Sequence, residues 1–178
     1  FKRGSYVVGL SQRIDNGGST PWQGNAYQQL QRVAPPEPSS WFSHYTDPEQ
    51  RSFIGAAWYT GEKFEKLGFK DFDEKKDALN SDFKGGWAAM LRLYFVTAWI
   101  PPAGQTNHYV TQTIDPDSAH PRYLIRTMSP VLNVAAGQSL TTEARLYVGP
   151  NRQGTLDAIA PGLDLTIDYG MFKAIAVP

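Results

Sequence analysis

Three histidines, His44, His108 and His120, are the side chains best suited to proton transfer or metal ligation near neutral pH. They are far apart, and none stands in an i, i+4 pair. Metal sites normally show tighter spacing or further ligands, so these read as surface or locally bonded histidines. Three carboxylate pairs have the residue types for acid–base work: Asp71 with Asp73, Asp115 with Asp117, and Asp164 with Asp168. A glycosidase needs two carboxylates facing each other across a cleft. The first two pairs lie in loop-like sequence, where Asp makes turns and caps. There is no cysteine, which excludes disulfides, thiolate nucleophiles and Cys-based metal sites. No G-x-S-x-G, P-loop or G-x-G-x-x-G run is present, and Gly85-Gly86 lacks the Lys and Ser/Thr of a phosphate loop. The residues point to no catalytic group, no metal site and no cofactor.

The five tryptophans offer a different chemistry, because sugars stack on exposed aromatic faces. Trp58, Trp87 and Trp99 have apolar neighbours and read as core. Trp41 follows the proline-rich stretch Ala34–Ser40 and is the candidate exposed aromatic of a ligand cleft. Lys and Arg number 17 and Asp and Glu 17, so the chain has no overall basic bias toward nucleic acid. No stretch reaches the roughly 18 apolar residues of a membrane helix. Phe1 is not a natural start and Val177–Pro178 is an abrupt end, so the chain is read as a piece of something larger.

The elements that position these residues are mostly strands. A chain of 178 residues can bury one substantial core, and 13% aromatics with many Thr and Val favour β structure. Ser5–Ile14 alternates as a half-buried strand; Asp15-Asn16-Gly17-Gly18 supplies a turn, and Pro21–Val33 is expected to close a hairpin. Ser52–Tyr59 reads as a short buried strand. Gly61–Asp82 reads as a solvated excursion, with a helical turn or two over Asp71–Leu79 capped by Asp71 or Asp73. His108–Ile114, Arg122–Met128 and Ser139–Val148 read as strands, with a short one within Pro130–Ala135.

Gly85–Pro102 is apolar on both parities and must be buried on both faces. Its start lacks an N-cap, and Tyr94–Ile100 is β-branched and aromatic, so it is expected to be one long central strand, bent near Arg92. After Pro150 the character changes. Asn151–Ala160 reads as a helix with Asn151 as N-cap and Leu156 and Ile159 on its apolar side, Leu163–Tyr169 as an extended segment, and Met171–Val177 as a further helix. Asp168-Tyr169-Gly170 reads as a rigid junction, with Gly170 as the permissive residue.

The segments GGWAAMLRLYFVTAWIP (Gly85–Pro101), LYVGP (Leu146–Pro150) and APGLDLTIDYG (Ala160–Gly170) together closely resemble the large periplasmic domain of bacterial YidC-type membrane protein insertases. FKRGSYVV at the start and FIGAAWYTGEKFEK (Phe53–Lys66) fit the same family in order, so the resemblance spans essentially the whole chain. It implies a β-supersandwich, a two-layer antiparallel sandwich similar to mutarotase and sugar-binding domains, with short C-terminal helices. It divides the chain into residues 1–150, the later part of that sandwich, and residues 151–178, a helical connector leading to a transmembrane helix. Leu156, Ile159, Asp168, Tyr169, Gly170, Met171 and Phe172 are then the candidate membrane-coupling residues. It further implies a place on the periplasmic side of the bacterial inner membrane, nascent membrane proteins as clients of the membrane core, and the Sec translocon with SecD/SecF as partners. The implied role is an accessory scaffold with no bond chemistry. The alternatives are a carbohydrate- or peptide-binding module using a sandwich cleft and, less favoured, a mutarotase-like enzyme. That enzyme would be marked by His108 or His120 bonded to a carboxylate at a cleft floor.

Overall fold

The computed structural model describes residues 3–35, 53–75, 78–152 and 154–167. Alternation in the opening stretch produces β1, Val7–Asp15. Its partner is distant in sequence. β12, Ser139–Pro150, runs antiparallel along all of it, from Val7 opposite Tyr147 to Asp15 opposite Ser139. The expected hairpin with the next strand does not form. The turn after β1 instead locks onto the turn before β12: the Asn16 amide donates to the Gln138 carbonyl at 2.9 Å, and the Gly137 amide to the Asn16 carbonyl at 2.8 Å. The Asn16 side chain donates to the Thr20 and Val134 carbonyls and directs the chain away. The expected second strand is split into β2, Trp22–Gly24, and β3, Tyr27–Val33. Between them Asn25 and Ala26 bond to Ser129.

The long central strand is also two strands. β7, Trp87–Arg92, turns back at Leu93-Tyr94 into β8, Phe95–Ile100, with Arg92 opposite Phe95. The bend expected near Arg92 is a complete reversal, and Arg92 reaches the surface. Folding the segment on itself places two apolar strands at the centre of a six-stranded sheet, ordered β1-β12-β8-β7-β4-β5, where β4 is Gly55–Tyr59 and β5 Phe64–Gly68. A second sheet is ordered β3-β10-β9-β6, with β6 Asn80–Lys84, β9 Thr106–Ile114 and β10 Arg122–Met128. β11, Leu132–Val134, pairs with β2. The polar excursion Gly61–Asp82 therefore contains two strands. A 3₁₀ turn, Phe69–Asp71, follows Gly68, and within the span expected to be helical the Lys75 amide donates to the Asp71 carbonyl at 2.9 Å, a single helical turn; residues 76 and 77 lie outside the described residues. Leu67, Phe69, Phe72 and Leu79 are buried there, because apolar residues set singly among charges can all turn to one side.

The two larger sheets pack as an antiparallel sandwich. Ala56, Trp58, Ala88 and Met90 of the first meet Tyr109, Tyr123 and Ile125 of the second. Successive side chains on a strand point to opposite faces. The other parity of the first sheet, Ala57, Trp87, Ala89, Leu91, Val96, Ala98, Ile100 and Tyr147, forms a separate core on its outer face. The burial of both parities expected from the sequence is thus correct, and it requires a third layer.

Tyr109 supports the inner core. It is fully buried, stacks on Phe83 at 3.8 Å between ring centres, and donates its hydroxyl to the Gly85 carbonyl at 2.6 Å. Burial pushes its phenol up from the ordinary 10.0 to about 12. The charged form is the deprotonated one, so the folded state holds the proton more tightly than the unfolded state. Its contribution to stability is complete below pH 10.0 and is lost as pH rises toward about 12. Titrating the unfolding midpoint through this window should show a fall that Tyr109→Phe reduces. Burial raises Tyr123 and Tyr147 as well, so some slope remains in the variant. An unchanged slope would show that Tyr109 ionises without cost in the fold.

Candidate functional site

The third layer is the segment after β12. Leu156, Ala160 and Leu163 are buried on the outer face of the first sheet, with Ile159 and Ile167 packed beside them. Of the residues expected to couple to the membrane, Leu156 is fully buried in this core and Ile159 is half-buried. Asp168, Tyr169, Gly170, Met171 and Phe172 lie outside the described residues, as do Trp41, His44 and the helix expected over Met171–Val177.

The connector is not the expected helix where it is described. Asn151–Ala160 is a series of turns, and Leu163–Thr166 is a 3₁₀ turn rather than an extended segment. Gly154 interrupts the first stretch at φ 81°, outside the helical region. Ten residues would in any case make a marginal helix on their own. In the second stretch Leu163 and Thr166 are buried and Leu165 is exposed, a spacing of three instead of two. Thr166 closes the turn by donating its hydroxyl to the Leu163 carbonyl at 2.6 Å.

Specific polar contacts hold this irregular layer in place. The Trp87 indole N–H donates to the Pro161 carbonyl at 3.1 Å, and Arg145 donates to the Ile159 carbonyl at 3.0 Å. Gly162, at φ 71°, lies flat against Tyr59, whose ring atoms would stand 3.0 Å from any Cβ there. Tyr59 in turn stacks on Trp87 at 6.1 Å. Asn151 is not an N-cap. Its backbone N–H donates to the Tyr94 carbonyl at 2.8 Å, and its side-chain amide donates to the Thr166 carbonyl at 3.0 Å. The connector therefore leaves the Tyr94 end of the sheet and crosses to the opposite end, where Tyr59 pairs with Trp87. It then returns, so that Thr166 meets Asn151 at the end where it began. Tyr59, Trp87 and Arg145 were not anticipated as connector contacts. The available signal was the second apolar parity of residues 87–100, which required a cover.

Among the described residues the other sequence candidates do not converge. His108 Nδ1 lies 2.7 Å from Asp82 Oδ1, but the two are cross-strand neighbours on an open sheet face and line neither cleft described below. His120 is exposed in a loop. Asp73 accepts a bond from Thr113, and Asp115 takes a positive φ and pairs with Arg122, the turn chemistry expected of it. Among the described residues no group of three or more His, Asp or Glu could hold a metal ion. No helix among them is long and apolar enough to cross a membrane. Trp58 is buried between the sheets and donates to Glu65. Trp99 is half-buried and donates to the Gln29 carbonyl. Trp22 is exposed but lies over Gly24.

A cleft of about 480 Å³ opens beside the connector, among Gly9, Ser11, Pro101, Pro102, Glu143 and Arg145. It presents no aromatic wall on which a sugar ring could stack. A smaller one, about 150 Å³, lies by Arg32, Ile54, Phe69 and Arg92.

A family model described as the YidC periplasmic domain matches residues 1–178. The membrane protein insertase YidC of Alcanivorax borkumensis is 37% identical over 179 residues, covering 100% of this chain and 30% of that protein. The insertase YidC of Pseudomonas putida strain W619 is 41% identical and that of Pseudomonas fluorescens SBW25 40%, with the same coverage. The chain spans about 30% of the length of these curated relatives. With the sandwich it folds into and a match along its entire length, the chain belongs to the YidC periplasmic domain family.

Proposed function

We propose that this chain is the periplasmic accessory domain of an inner-membrane protein insertase. It is a scaffold that catalyses no bond chemistry and positions its connector for a membrane core that inserts nascent membrane proteins. The observation that carries this reading is the connector itself. A domain whose outer sheet face is sealed by its own departing chain fixes that chain's position relative to the sandwich. Residues 1–150 then serve as the body and 151–178 as the link. The Sec translocon and SecD/SecF are the partners that the family resemblance supplies.

The test is made in a full-length insertase carrying this domain. Deleting residues 151–178 is expected to impair insertion of a membrane client more than deleting residues 34–52. Equal tolerance of both deletions would remove the connector from the reading. Because the first deletion also bares Trp87, Val96 and Tyr147, protease resistance of the sandwich is measured in parallel. Arg145→Ala, which takes only one bond from the connector, serves as the milder variant. Calorimetric titration of this chain with oligosaccharides and unfolded peptides is expected to be silent. Micromolar binding would favour a binding module in its place.

A further inference from the structure

Large apolar side chains are exposed at one end of the sandwich, and it is the end to which the connector returns. Tyr94 is 63% exposed and Phe95 58%, at the tip of the β7–β8 hairpin. Register places them beside the last residues of β12: Phe95 is opposite Pro150, and Val148, also exposed, is opposite Thr97. Exposed Tyr6 is drawn to the same end, since its carbonyl accepts the Val148 amide at 3.0 Å. Leu165, 49% exposed, adjoins Thr166, which meets Asn151 there. Val96 and Tyr147 face the connector, so their neighbours Phe95 and Val148 leave the sheet on the opposite face, and the two tyrosines, the phenylalanine and the two aliphatic residues occupy this end of the sandwich on both sides of the sheet. Exposed Arg3 and Arg152 flank this end, three residues before Tyr6 and two after Pro150, while Asp164 beside Leu165 is half-buried.

Exposed apolar side chains gathered at one end of a fold mark an interaction site. The chemistry here selects among partners. Tyrosines with an apolar body and a polar tip favour the membrane–water boundary. Flanking arginines with aromatic and aliphatic neighbours suit an anionic lipid headgroup layer. We infer that Tyr6, Tyr94, Phe95, Val148 and Leu165 form a foot that rests on the phospholipid surface beside the connector's exit. This rests on the proposed membrane placement and adds to it a second, direct contact with the bilayer.

The absence of cysteine allows single-site labelling. The chain carrying Tyr94→Cys labelled with an environment-sensitive nitrobenzoxadiazole dye is mixed with phosphatidylethanolamine–phosphatidylglycerol vesicles. The emission is expected to shift to the blue and to be quenched by brominated lipid. The same dye at Val131→Cys is expected to do neither. Val131 is also exposed, but it precedes β11, which Asn16 ties to the opposite end of β1. In flotation with the same vesicles, the triple variant Tyr94→Ser, Phe95→Ser, Val148→Ser is expected to lose about fivefold or more in bound fraction. Its unfolding midpoint is measured alongside, since these side chains are exposed and should be replaceable without unfolding. Equal quenching at both positions, or no quenching at either, would overturn the inference. So would cross-linking of position 94 to a protein subunit in the full-length insertase. Failure here with the connector deletions still impairing insertion would leave the scaffold reading standing. Lipid contact with harmless connector deletions would do the reverse.

Discussion

Trp87→Ala is expected to destabilise the domain by about 3–5 kcal/mol, the range for truncating a fully buried large aromatic. Trp87 is 0% exposed and sits on the outer face of the first sheet. Tyr59 stacks on it at 6.1 Å, Phe64 packs at 5.9 Å, and its N–H holds the Pro161 carbonyl. Removing the ring leaves a cavity that neither the sheet nor the connector can close, since the adjacent positions are the small Ala57 and Ala89. Trp87→Phe keeps an aromatic body and loses the N–H, for a cost from the hydrogen bond alone of about 1 kcal/mol. Denaturant unfolding followed by circular dichroism gives both values. Limited proteolysis should also show faster cleavage within residues 151–167 of Trp87→Ala, because the connector loses its anchor. A loss below about 1 kcal/mol for the alanine variant would mean that the outer core is not what seals this face.

Gly86→Ala should be comparably damaging for a different reason. Gly86 has φ 75°, and a Cβ there would stand 2.0 Å from the Tyr59 carbonyl oxygen and 2.8 Å from the Phe83 ring. The carbonyl belongs to backbone between two paired strands and cannot move aside alone. A cost of about 2–5 kcal/mol follows from left-handed strain and overpacking together. Gly137→Ala separates the two terms. Gly137 has φ 73° with open space around it, so only the dihedral cost applies, about 1–2 kcal/mol. If the two alanine variants are equally stable, close approach at Gly86 contributes nothing. A larger loss at Gly86 identifies the Gly85-Gly86 pair as the place where β7 is pressed against the end of β4.

Most strands were legible because their signal is local. Alternation in residues 5–14 and 139–148, the short apolar run within 122–128 and the turn residues between them place those elements within a few positions. Pairing was not local, and the misreadings come from that. Asp15-Asn16-Gly17-Gly18 has the composition of a hairpin turn, yet β1 pairs with β12 across more than a hundred residues. Leu93-Tyr94 carries no turn signal, but two apolar strands of six residues cross-pair more favourably than one strand of double length could be covered. The connector was misread as helix and strand because its shape is set by the surface beneath it. Asn151 has the side chain of an N-cap, and it spends it on Thr166, a partner that only tertiary packing brings near.

By itself the sequence determined a β domain with no cysteine chemistry and a family membership spread over its whole length. It also determined that residues 87–100 are covered on both sides, because hydrophobicity on both parities is a property of composition and order alone. The tertiary structure decided that the cover is the connector, that Tyr59, Trp87, Arg145 and Gly162 hold it, and that it returns to the end where Tyr94 and Phe95 are exposed. Those facts depend on which strands lie side by side. That is fixed by long-range packing energy, which no local run of residues records.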